Sequence, residues 1–443
     1  MTFTNALSTA TSGLNAAAAR ASIASSNIAN ANTEGYSRRV AVLEERLAGA
    51  DGAGVRVLTT QNARSDFLTA DRQRLAAENA FSTERSTAAT QLANIIGEPG
   101  SENSLFGQYA RFEDSLRDAA ATPESSILLT QSVDQARALA QKLNSLSEQA
   151  GRLRNDADRD IGIAVSEVNT ALARLEELNG LPALKQSPEV FDERQRLIDQ
   201  VNEQIPVTVQ YRDTGVNLVT EGGVFLLTET ASFIDFSPAG NVGRTQTLGA
   251  PLSGISVNGV DITPGGGGTQ PSGGGRIGAL FEARDVQAPG FQDQLDGLAT
   301  DLIQRFGDDT VDPTKTVGEA GLFTDGTAVI PATTEVGIAE RIQLNATVDP
   351  RQGGEVYRLR DGVGAVAPGP DGNGDQLNRL ISAFETNRTP PASLGLPGTS
   401  NASNLAAQIS SSVSLTDRNY SENALFAGTR LDLAVDQELS VIG

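Results

Sequence analysis

The sequence of 443 residues contains no cysteine, no histidine and no tryptophan, and it has a single methionine. Without histidine or cysteine, the usual zinc sites, a Ser-His-Asp triad, a thiol nucleophile and a disulfide framework are all excluded. Histidine also performs most general acid–base catalysis near neutral pH. The composition therefore argues against an enzyme and predicts no metal and no cofactor. A carboxylate-dependent hydrolase is the enzymatic alternative that stays open.

Long apolar runs and positive charge are also scarce. No run approaches the roughly 18 to 20 apolar residues that span a bilayer, and the N-terminus lacks the basic and apolar regions of a cleaved secretory signal. The formal net charge is −21, from 55 acidic and 34 basic residues. Such an acidic balance argues against nucleic acid and anionic membrane surfaces as partners. We therefore expect no nucleic-acid partner and no membrane insertion.

The first thirty residues repeat apolar side chains in alternating steps of four and three, which is the a/d seam of a heptad pattern. The members of this N-terminal seam are Phe3, Leu7, Ala10, Leu14, Ala17, Ala21, Ala24 and Ile28. Because alanine buries little area, such a helix gains little from packing and is weak alone. We expect the N-terminal seam to be an assembly interface that is disordered until assembly.

A second and stronger seam runs from Leu139 to Leu178, with one extra step of four between Ala157 and Ile161 that breaks the strict heptad. A helix of this length spans roughly 60 Å, which suits a rod better than a globular enzyme. The sequence "RLRNDADRD" within it predicts surface ion pairs. Further helices are expected over 67–96, 105–120, 189–204, 277–306, 376–385 and 401 to about 426. In the helix 189–204 we expect Phe191 to lie on the apolar side.

From Pro206 the apolar period changes from 3.6 to 2, which predicts short strands. Asn258–Gly259 has the sequence of a type I′ hairpin turn, and the glycine-rich run 264–275 is typical of a flexible connector. Residues 307–370 are rich in turns, with a strand expected over 340–350. The fold class is therefore mainly α with an inserted β-rich region, in which the N- and C-terminal parts form a long helical stalk.

One acidic turn has the spacing of a calcium loop, since Asp371, Asn373 and Asp375 follow each other in steps of two. Glycine is missing from the sixth position and a bidentate glutamate from the last. A turn with Asp375 capping the next helix is therefore favoured. Along the chain we expect six segments: 1–60 an N-terminal axial helix, 61–206 a long-helix bundle, 207–275 a β-rich segment, 276–306 a returning bundle helix, 307–400 an inserted mixed region and 401–443 a C-terminal helix.

The stretch from Ser25 to Arg39 reads SSNIANANTEGYSRR, and it resembles the NNIANxNTxGY signature of bacterial flagellar axial proteins. The matching residues are Ser26, Asn27, Ile28, Ala29, Asn30, Asn32, Thr33, Gly35 and Tyr36, with Glu34 where proline is common. Two longer stretches, "SLFGQYARFEDSLRDAAATPESS" and "GGRIGALFEARDVQAPGFQDQLDGLATDLIQRF", are similar to the hook-associated members of that family. The chain is therefore identified as an axial protein of the hook-associated type.

This resemblance implies a structural subunit without catalytic activity, which forms a ring at the junction between hook and filament. Its implied partners are copies of itself, the hook protein, the next hook-associated junction protein, the filament, and the export chaperone and apparatus. It would leave the cell through the flagellar type III system, without a cleaved signal, and reside extracellularly in the flagellum. A flagellin, rod or hook subunit is the alternative within the family.

The resemblance also implies a C-terminal heptad helix that pairs with the N-terminal one. No such seam is recognised after about Phe426, where the last clear helical pattern ends. We therefore expect the C-terminal helix to be incomplete.

Overall fold

The computed structural model describes residues 3–30, 36–48, 51–63, 65–98, 100–182, 185, 187–212, 215–265 and 270–442. The structure is 59% helical, with small sheets scattered through its middle, which confirms the expected fold class. The main helices are α1 (Phe3–Ala29), α2 (Asp66–Ile96), α3 (Leu105–Ala121), α4 (Ser126–Asn179), α5 (Pro188–Gln204), α6 (Gly275–Glu282), α7 (Ala288–Gly307), α10 (Asp375–Glu385) and α11 (Ala402–Ile442); α8 (Ile338–Arg341) and α9 (Tyr357–Asp361) are short. Among the described residues no helix is long and apolar enough to cross a membrane.

The strands are short outside one N-terminal hairpin. They are β1 (Arg39–Ala48), β2 (Asp51–Asn62), β3 (Val207–Tyr211), β4 (Val216–Thr220), β5 (Phe225–Leu227), β6 (Ile234–Asp235), β7 (Thr247–Leu248), β8 (Pro251–Leu252), β9 (Ser256–Val257), β10 (Val260–Asp261), β11 (Phe323–Thr324) and β12 (Gln343–Leu344). β3-β4-β5 and β10-β9-β6 are antiparallel sheets. Asn258 and Gly259, at φ 51° and 78°, form the turn between β9 and β10, as a type I′ hairpin requires. That prediction is confirmed.

Helix α4 is 54 residues long and runs through the whole bundle. Ser125 caps its start by accepting a hydrogen bond from the backbone of Leu128, and the helix ends before Gly180. The predicted seam lies inside the protein, which confirms it as the packing face of this helix. Its buried members include Leu139, Leu143, Leu146, Ala150, Ala157, Ile161, Ala164, Val168, Ala171, Leu175 and Leu178.

Two apolar cores follow one another along α4. The larger core joins the first half of α4 to α3, α7, α10 and the start of α11. The second core joins the rest of α4 to α5, α6 and the small sheets. Between them lies a small cluster of three buried alanines, Ala88, Ala157 and Ala283, against which Leu153 is partly buried. The break in the heptad between Ala157 and Ile161 thus falls where one core ends and the other begins.

A layer of buried charge fills this boundary. Nη1 of Arg284 is 2.7 Å from Oδ1 of Asp158, and Nε of Arg154 donates to the carbonyl oxygen of Arg284 over 2.9 Å. All three side chains are buried, so the expectation that this stretch forms only surface ion pairs was wrong for Arg154 and Asp158. At the same level the returning helix contains a π turn, Ala283–Gln287, where one continuous helix was expected. A π turn inserts one residue, which turns the following side chains.

Residues 307–400 are held by hydrogen-bonded turns more than by strands. Four Asp-x-Thr or Asn-x-Thr turns repeat one arrangement: the Asx carboxyl or amide oxygen accepts from the backbone of the threonine at 2.9–3.1 Å and from its hydroxyl at 2.6–2.9 Å. The Asx residues are Asp308, Asp312, Asp325 and Asn345. The strand expected over 340–350 was wrong except at Gln343–Leu344, because such side chains compete with the sheet for backbone donors.

The C-terminal helix α11 continues to Ile442, so the expected end near Phe426 was wrong. It lies antiparallel to α2. Four contacts fix this register: Thr90 to Asp417 at 2.6 Å, Ser86 to Ser421 at 3.1 Å, Glu78 to Arg430 at 2.7 Å and Arg72 to Glu438 at 2.6 Å. The buried residues of its last turns are Ala427, Ala434 and Glu438, spaced by seven and four. A seam exists here, and it was missed because its members are small or charged.

Candidate assembly site at the N-terminal helix

The predicted N-terminal seam faces outward. Leu7, Leu14 and Ile28 are 59%, 70% and 78% exposed. The alanines at the other seam positions are exposed as well, namely Ala10, Ala17, Ala21 and Ala24. The side chain of Phe3 lies outside the described residues. α1 therefore presents one continuous stripe of apolar side chains that no described part of its own chain covers.

The opposite side of α1 packs on the hairpin β1–β2. Ala16 is buried there, and Oγ of Ser12 accepts a hydrogen bond from the backbone of Val55 over 3.2 Å. Gly54 has φ +100°, and a Cβ added to it would lie 2.0 Å from Oγ of Ser12. Small residues on both partners thus bring the helix close to the hairpin and leave the seam free on the far side.

The hairpin itself was not predicted from the sequence. β1 and β2 pair antiparallel, with Arg39 opposite Asn62 and Val42 opposite Thr59. The signal was nevertheless present, since β-branched residues alternate on both sides of a glycine-containing stretch, as at Val40 and Val42. The helical seam that precedes the hairpin favoured an axial helix over the whole of residues 1–60.

The signature segment begins at the end of α1, where Asn30 donates through Nδ2 to the carbonyl oxygen of Ser26 over 2.9 Å. Oδ1 of Asn27 accepts from the backbone of Arg39 and from the hydroxyl of Tyr36, both at 2.9 Å. Nδ2 of Asn27 donates to the carbonyl oxygen of Arg39, also at 2.9 Å. The Asn27 amide therefore pairs with the first residue of β1 as a neighbouring strand would.

The remaining signature residues divide into three groups. Ala29 is the last residue of α1 and is exposed, and Ile28 belongs to the outward seam. Asn32, Thr33 and Gly35 lie outside the described residues. The structure thus brings together Asn27 and Tyr36, while the other described members form the helix end.

Arg39 connects this segment to the bundle. Its guanidinium lies over the ring of Tyr36, 4.9 Å from the centroid, and its Nη1 is 2.7 Å from Oε1 of Glu189 on α5. Nη2 is 3.5 Å from Oδ2 of Asp192. Oδ1 of Asp192 also accepts from Nδ2 of Asn62 at 2.9 Å. We call Asn27, Tyr36, Arg39, Asn62 and Asp192 the signature joint.

Burial raises the pKa of the Asp192 carboxyl, although the backbone of Ser37 and Arg39 oppose this shift. At Glu189, hydrogen bonds from Ser187 and from its own backbone lower the pKa, and Arg39 adds to the effect. Asp192 was not singled out in the sequence because Phe191 looked like the apolar residue of this turn. In the structure Phe191 is 43% exposed and Asp192 is buried, so that assignment was wrong.

The acidic side chains of the described residues can be compared with the pattern of a metal site. Within these residues, no three His, Cys, Asp or Glu residues are grouped as a metal site requires. Asp371 instead pairs with Arg360 at 3.0 Å. Asp375 is the first residue of α10, and its backbone donates to Oδ1 of Asn373 at 2.9 Å. The expectation that the Asp375 side chain caps this helix was therefore wrong.

Two protein-family profiles match parts of this chain. The profile described as "Flagellar hook-associated protein FlgK helical domain" matches residues 89–321, which is more than half of the chain. The chain belongs to the FlgK family. Members of the FlgK family are structural flagellar proteins and not enzymes, which sets the hydrolase alternative aside. A second profile, "Flagella basal body rod protein", matches residues 7–36, which include most of α1 and end at Tyr36.

Two curated relatives bear the name Flagellar hook-associated protein 1. The Bacillus subtilis (strain 168) protein is 26% identical over 235 residues, covering 48% of this chain and 45% of the relative. The Salmonella typhimurium protein is 25% identical over 231 residues, covering 49% and 41%. The chain thus matches less than half the length of these relatives. The structure of the flagellar hook junction protein FlgK from Burkholderia pseudomallei aligns with a TM-score of 0.45 at 19% identity, over 59% of this chain and 46% of that chain.

Proposed function

We propose that this chain is a structural subunit of the bacterial flagellum whose copies form the ring that joins the hook to the filament. The observation that carries the proposal is the outward N-terminal seam on a chain of the FlgK family. An apolar stripe along a whole helix is unusual on the surface of a soluble monomer and is typical of a surface that another helix covers. The seam residues Leu7, Leu14 and Ile28 supply the larger contacts in this interface.

Helix α11 offers a second outward apolar row on the side away from α2. Its exposed members are Leu415, Leu425, Phe426, Leu433 and Leu439. We propose that this row and the N-terminal seam meet in the inner layer of the assembled ring, within one subunit or between neighbours. Alanine in the N-terminal seam permits close approach, and leucine and phenylalanine on α11 provide buried area. On this proposal α1 reaches its full order only when neighbours cover it.

The proposed position implies the proposed partners. One side of the ring would contact the hook protein, and the other would receive the next hook-associated junction protein and then the filament. Before assembly the chain would be held by an export chaperone and passed through the flagellar type III apparatus without cleavage of a signal. A chain without cysteine crosses such a channel with no disulfide to reduce. Its final location would be extracellular, in the flagellum.

Deletion of the gene followed by electron microscopy tests this function. The expected result is hooks without filaments, with flagellin lost to the medium, and recovery of filaments when the gene is supplied in trans. Filaments of normal number and length on the deletion strain would overturn the proposal.

The same experiment separates the alternative of another axial subunit. This alternative has one supporting observation, the match of residues 7–36 to the rod profile. A rod or hook subunit would leave cells without hooks, and a flagellin would leave intact hooks with no flagellin in the medium. The longer match over 89–321 favours the junction subunit.

A further inference from the structure

Helix α5 carries a stripe of four polar residues on one side: Asp192, Gln195, Asp199 and Asn202. Their spacing by three and four places them along a single face. Asp192 and Asn202 are buried, although polar side chains of this kind are usually exposed. Beside this stripe Ile198 and Val201 pack in the second core, so part of the stripe is buried next to apolar side chains.

The first turn of the polar stripe holds the N-terminal hairpin. Asp192 accepts from Asn62 at the end of β2 and from the backbone of Ser37 before β1, over 2.9 and 3.4 Å. Arg39 adds ion pairs to Asp192 and Glu189. Since Arg39 and Asn62 are opposite each other in the hairpin, both strands are attached at their base.

The middle of the polar stripe holds the start of α2 and the end of α11. Asp199 accepts from Nη2 of Arg72 at 2.9 Å, from Nε2 of Gln73 at 2.8 Å and from Nε2 of Gln195 at 3.0 Å. Nε of the same Arg72 is 2.6 Å from Oε2 of Glu438 on α11. One guanidinium therefore links α5 to the C-terminal helix across α2.

We infer that α5 sets the direction in which two end segments leave the bundle, with Asp192 and Asp199 as its positioning residues. The first end segment is α1 with the hairpin β1–β2, and the second is the last part of α11. Two half-buried guanidinium groups, of Arg39 and Arg72, make the connections. The planar fork of arginine restricts geometry as well as attracting charge, so each connection fixes an angle. The inference rests on the proposed function only in that α1 and α11 are the elements proposed to assemble.

The absence of cysteine makes a direct test possible, because two introduced cysteines are the only spin-label sites. One label pair reports on the hairpin, with Leu58→Cys on β2 and Arg152→Cys on α4. A second pair reports on α11, with Leu439→Cys and Arg152→Cys. All three positions are exposed. Distance distributions between the two spin labels are measured by pulsed electron–electron double resonance on the purified full chain.

The variants are Asp192→Ala and Asp199→Ala, and the matched control is Glu193→Ala on the same helix. Glu193 pairs with Arg174 of α4, 2.8 Å away, and within the described residues its ion pair involves neither the hairpin nor α11. We expect a single narrow peak in the parent and in Glu193→Ala. Asp192→Ala should lose the narrow peak of the hairpin pair. Asp199→Ala should widen the peak of the α11 pair without abolishing it, because the contacts of α11 with α2 remain. Asp192→Asn, which keeps the acceptor but not the charge, should widen the hairpin peak without abolishing it.

Circular dichroism on each variant shows whether the bundle remains folded, and helix content equal to that of the control is expected. Distributions in Asp192→Ala and Asp199→Ala that match the control would overturn the inference, as would broad distributions in the parent. If Asp192→Ala unfolds, Asp192→Asn decides the hairpin connection, and if Asp199→Ala unfolds, Asp199→Asn decides the α11 connection; an unchanged peak in the deciding variant overturns the inference. The measurement uses isolated subunits, so failure of the junction function, seen in cells, is distinguishable from failure of this inference.

Discussion

Helices α1 and α4 carry the same kind of seam and place it in opposite surroundings. In α4 the seam from Leu139 to Leu178 is buried by other helices and sheets of the same chain. In α1 the seam from Leu7 to Ile28 is exposed along its whole described length. A heptad pattern indicates that a helix packs against a partner, but it does not indicate whether that partner is in the same molecule.

Composition distinguishes the two helices where spacing does not. The α4 seam is rich in leucine, isoleucine and valine, each of which gains on the order of 1.5–3 kcal/mol on burial. The α1 seam is mostly alanine, which gains less per position and suits close contacts repeated over many copies. An alanine seam on a helix held to its own chain by another face is therefore the stronger sign of assembly.

The largest expected loss of unfolding free energy comes from truncating a residue of the buried α4 seam. Leu146 is fully buried in the larger core, so Leu146→Ala should lower the free energy of unfolding by about 2–5 kcal/mol. Leu14→Ala makes the same chemical change on the exposed seam and should stay within about 0.5 kcal/mol of the parent. Urea denaturation of the purified chains measures both. Equal losses of unfolding free energy would show that the α1 seam is buried within the isolated chain as the α4 seam is.

An intermediate effect concerns the ion pair that ties residues 307–400 to α4. Asp349 is buried and accepts from Nε and Nη2 of Arg137, at 3.0 and 2.6 Å. These hydrogen bonds lower the pKa of Asp349 to about 2. Asp349→Asn should cost about 1–3 kcal/mol of unfolding free energy at neutral pH.

The pH dependence of the stability lost in Asp349→Asn follows from the direction in which the pKa of Asp349 is shifted. Because the pKa of Asp349 is lower in the folded chain than its usual value, the native state holds the proton less readily than the unfolded state. The difference between the parent and Asp349→Asn should therefore be complete above about pH 4 and shrink as the pH falls toward about 2. Denaturation across this range is the measurement, with Asp114→Asn on the exposed side of α3 as control. A difference that does not vary with pH would contradict the account.

The smallest expected effect on stability comes from placing a charge in the exposed α1 seam. Leu14→Asp places a charge in the exposed seam, so unfolding of the isolated chain should change by no more than about 0.5 kcal/mol. Filament formation should nevertheless fail when this variant replaces the parent in the deletion strain. Asn15→Asp adds the same charge beside the seam and should still support filaments. Global loss of the circular dichroism signal in Leu14→Asp would mean that α1 belongs to the core.

Much of the fold could be predicted because its long helices have strong apolar periods. α2, α3, α5 and α10 begin and end within about two residues of their expected limits, since apolar spacing and capping residues such as Ser104 agree. The course of α11 beyond Phe426 could not be predicted, because Ala427, Ala434 and Glu438 make a seam without large side chains. Glu438 is buried only because Arg72 and Thr69 on α2 lie opposite it.

The candidate site was predictable in part. The outward seam and the signature could be named from spacing, and their role in assembly remains a prediction. The signature joint could not be foreseen, because Asn27, Arg39 and Asp192 come together only after the hairpin and α5 have folded. A side chain such as Asp192 that is polar, lies beside an exposed phenylalanine and points inward has no periodic signal in sequence.

The charged layer at Asp158 and Arg284 has a consequence for how the molecule unfolds. The cores on its two sides share α4 but few apolar contacts, since among the described residues the cluster between them consists of three alanines and the partly buried Leu153. Apolar burial on one side therefore does not depend on burial on the other, and the chain should open as two cooperative units rather than one. A calorimetric scan would show two transitions, and a subunit could loosen its strand-rich end while the end that holds α3, α10 and the start of α11 stays closed.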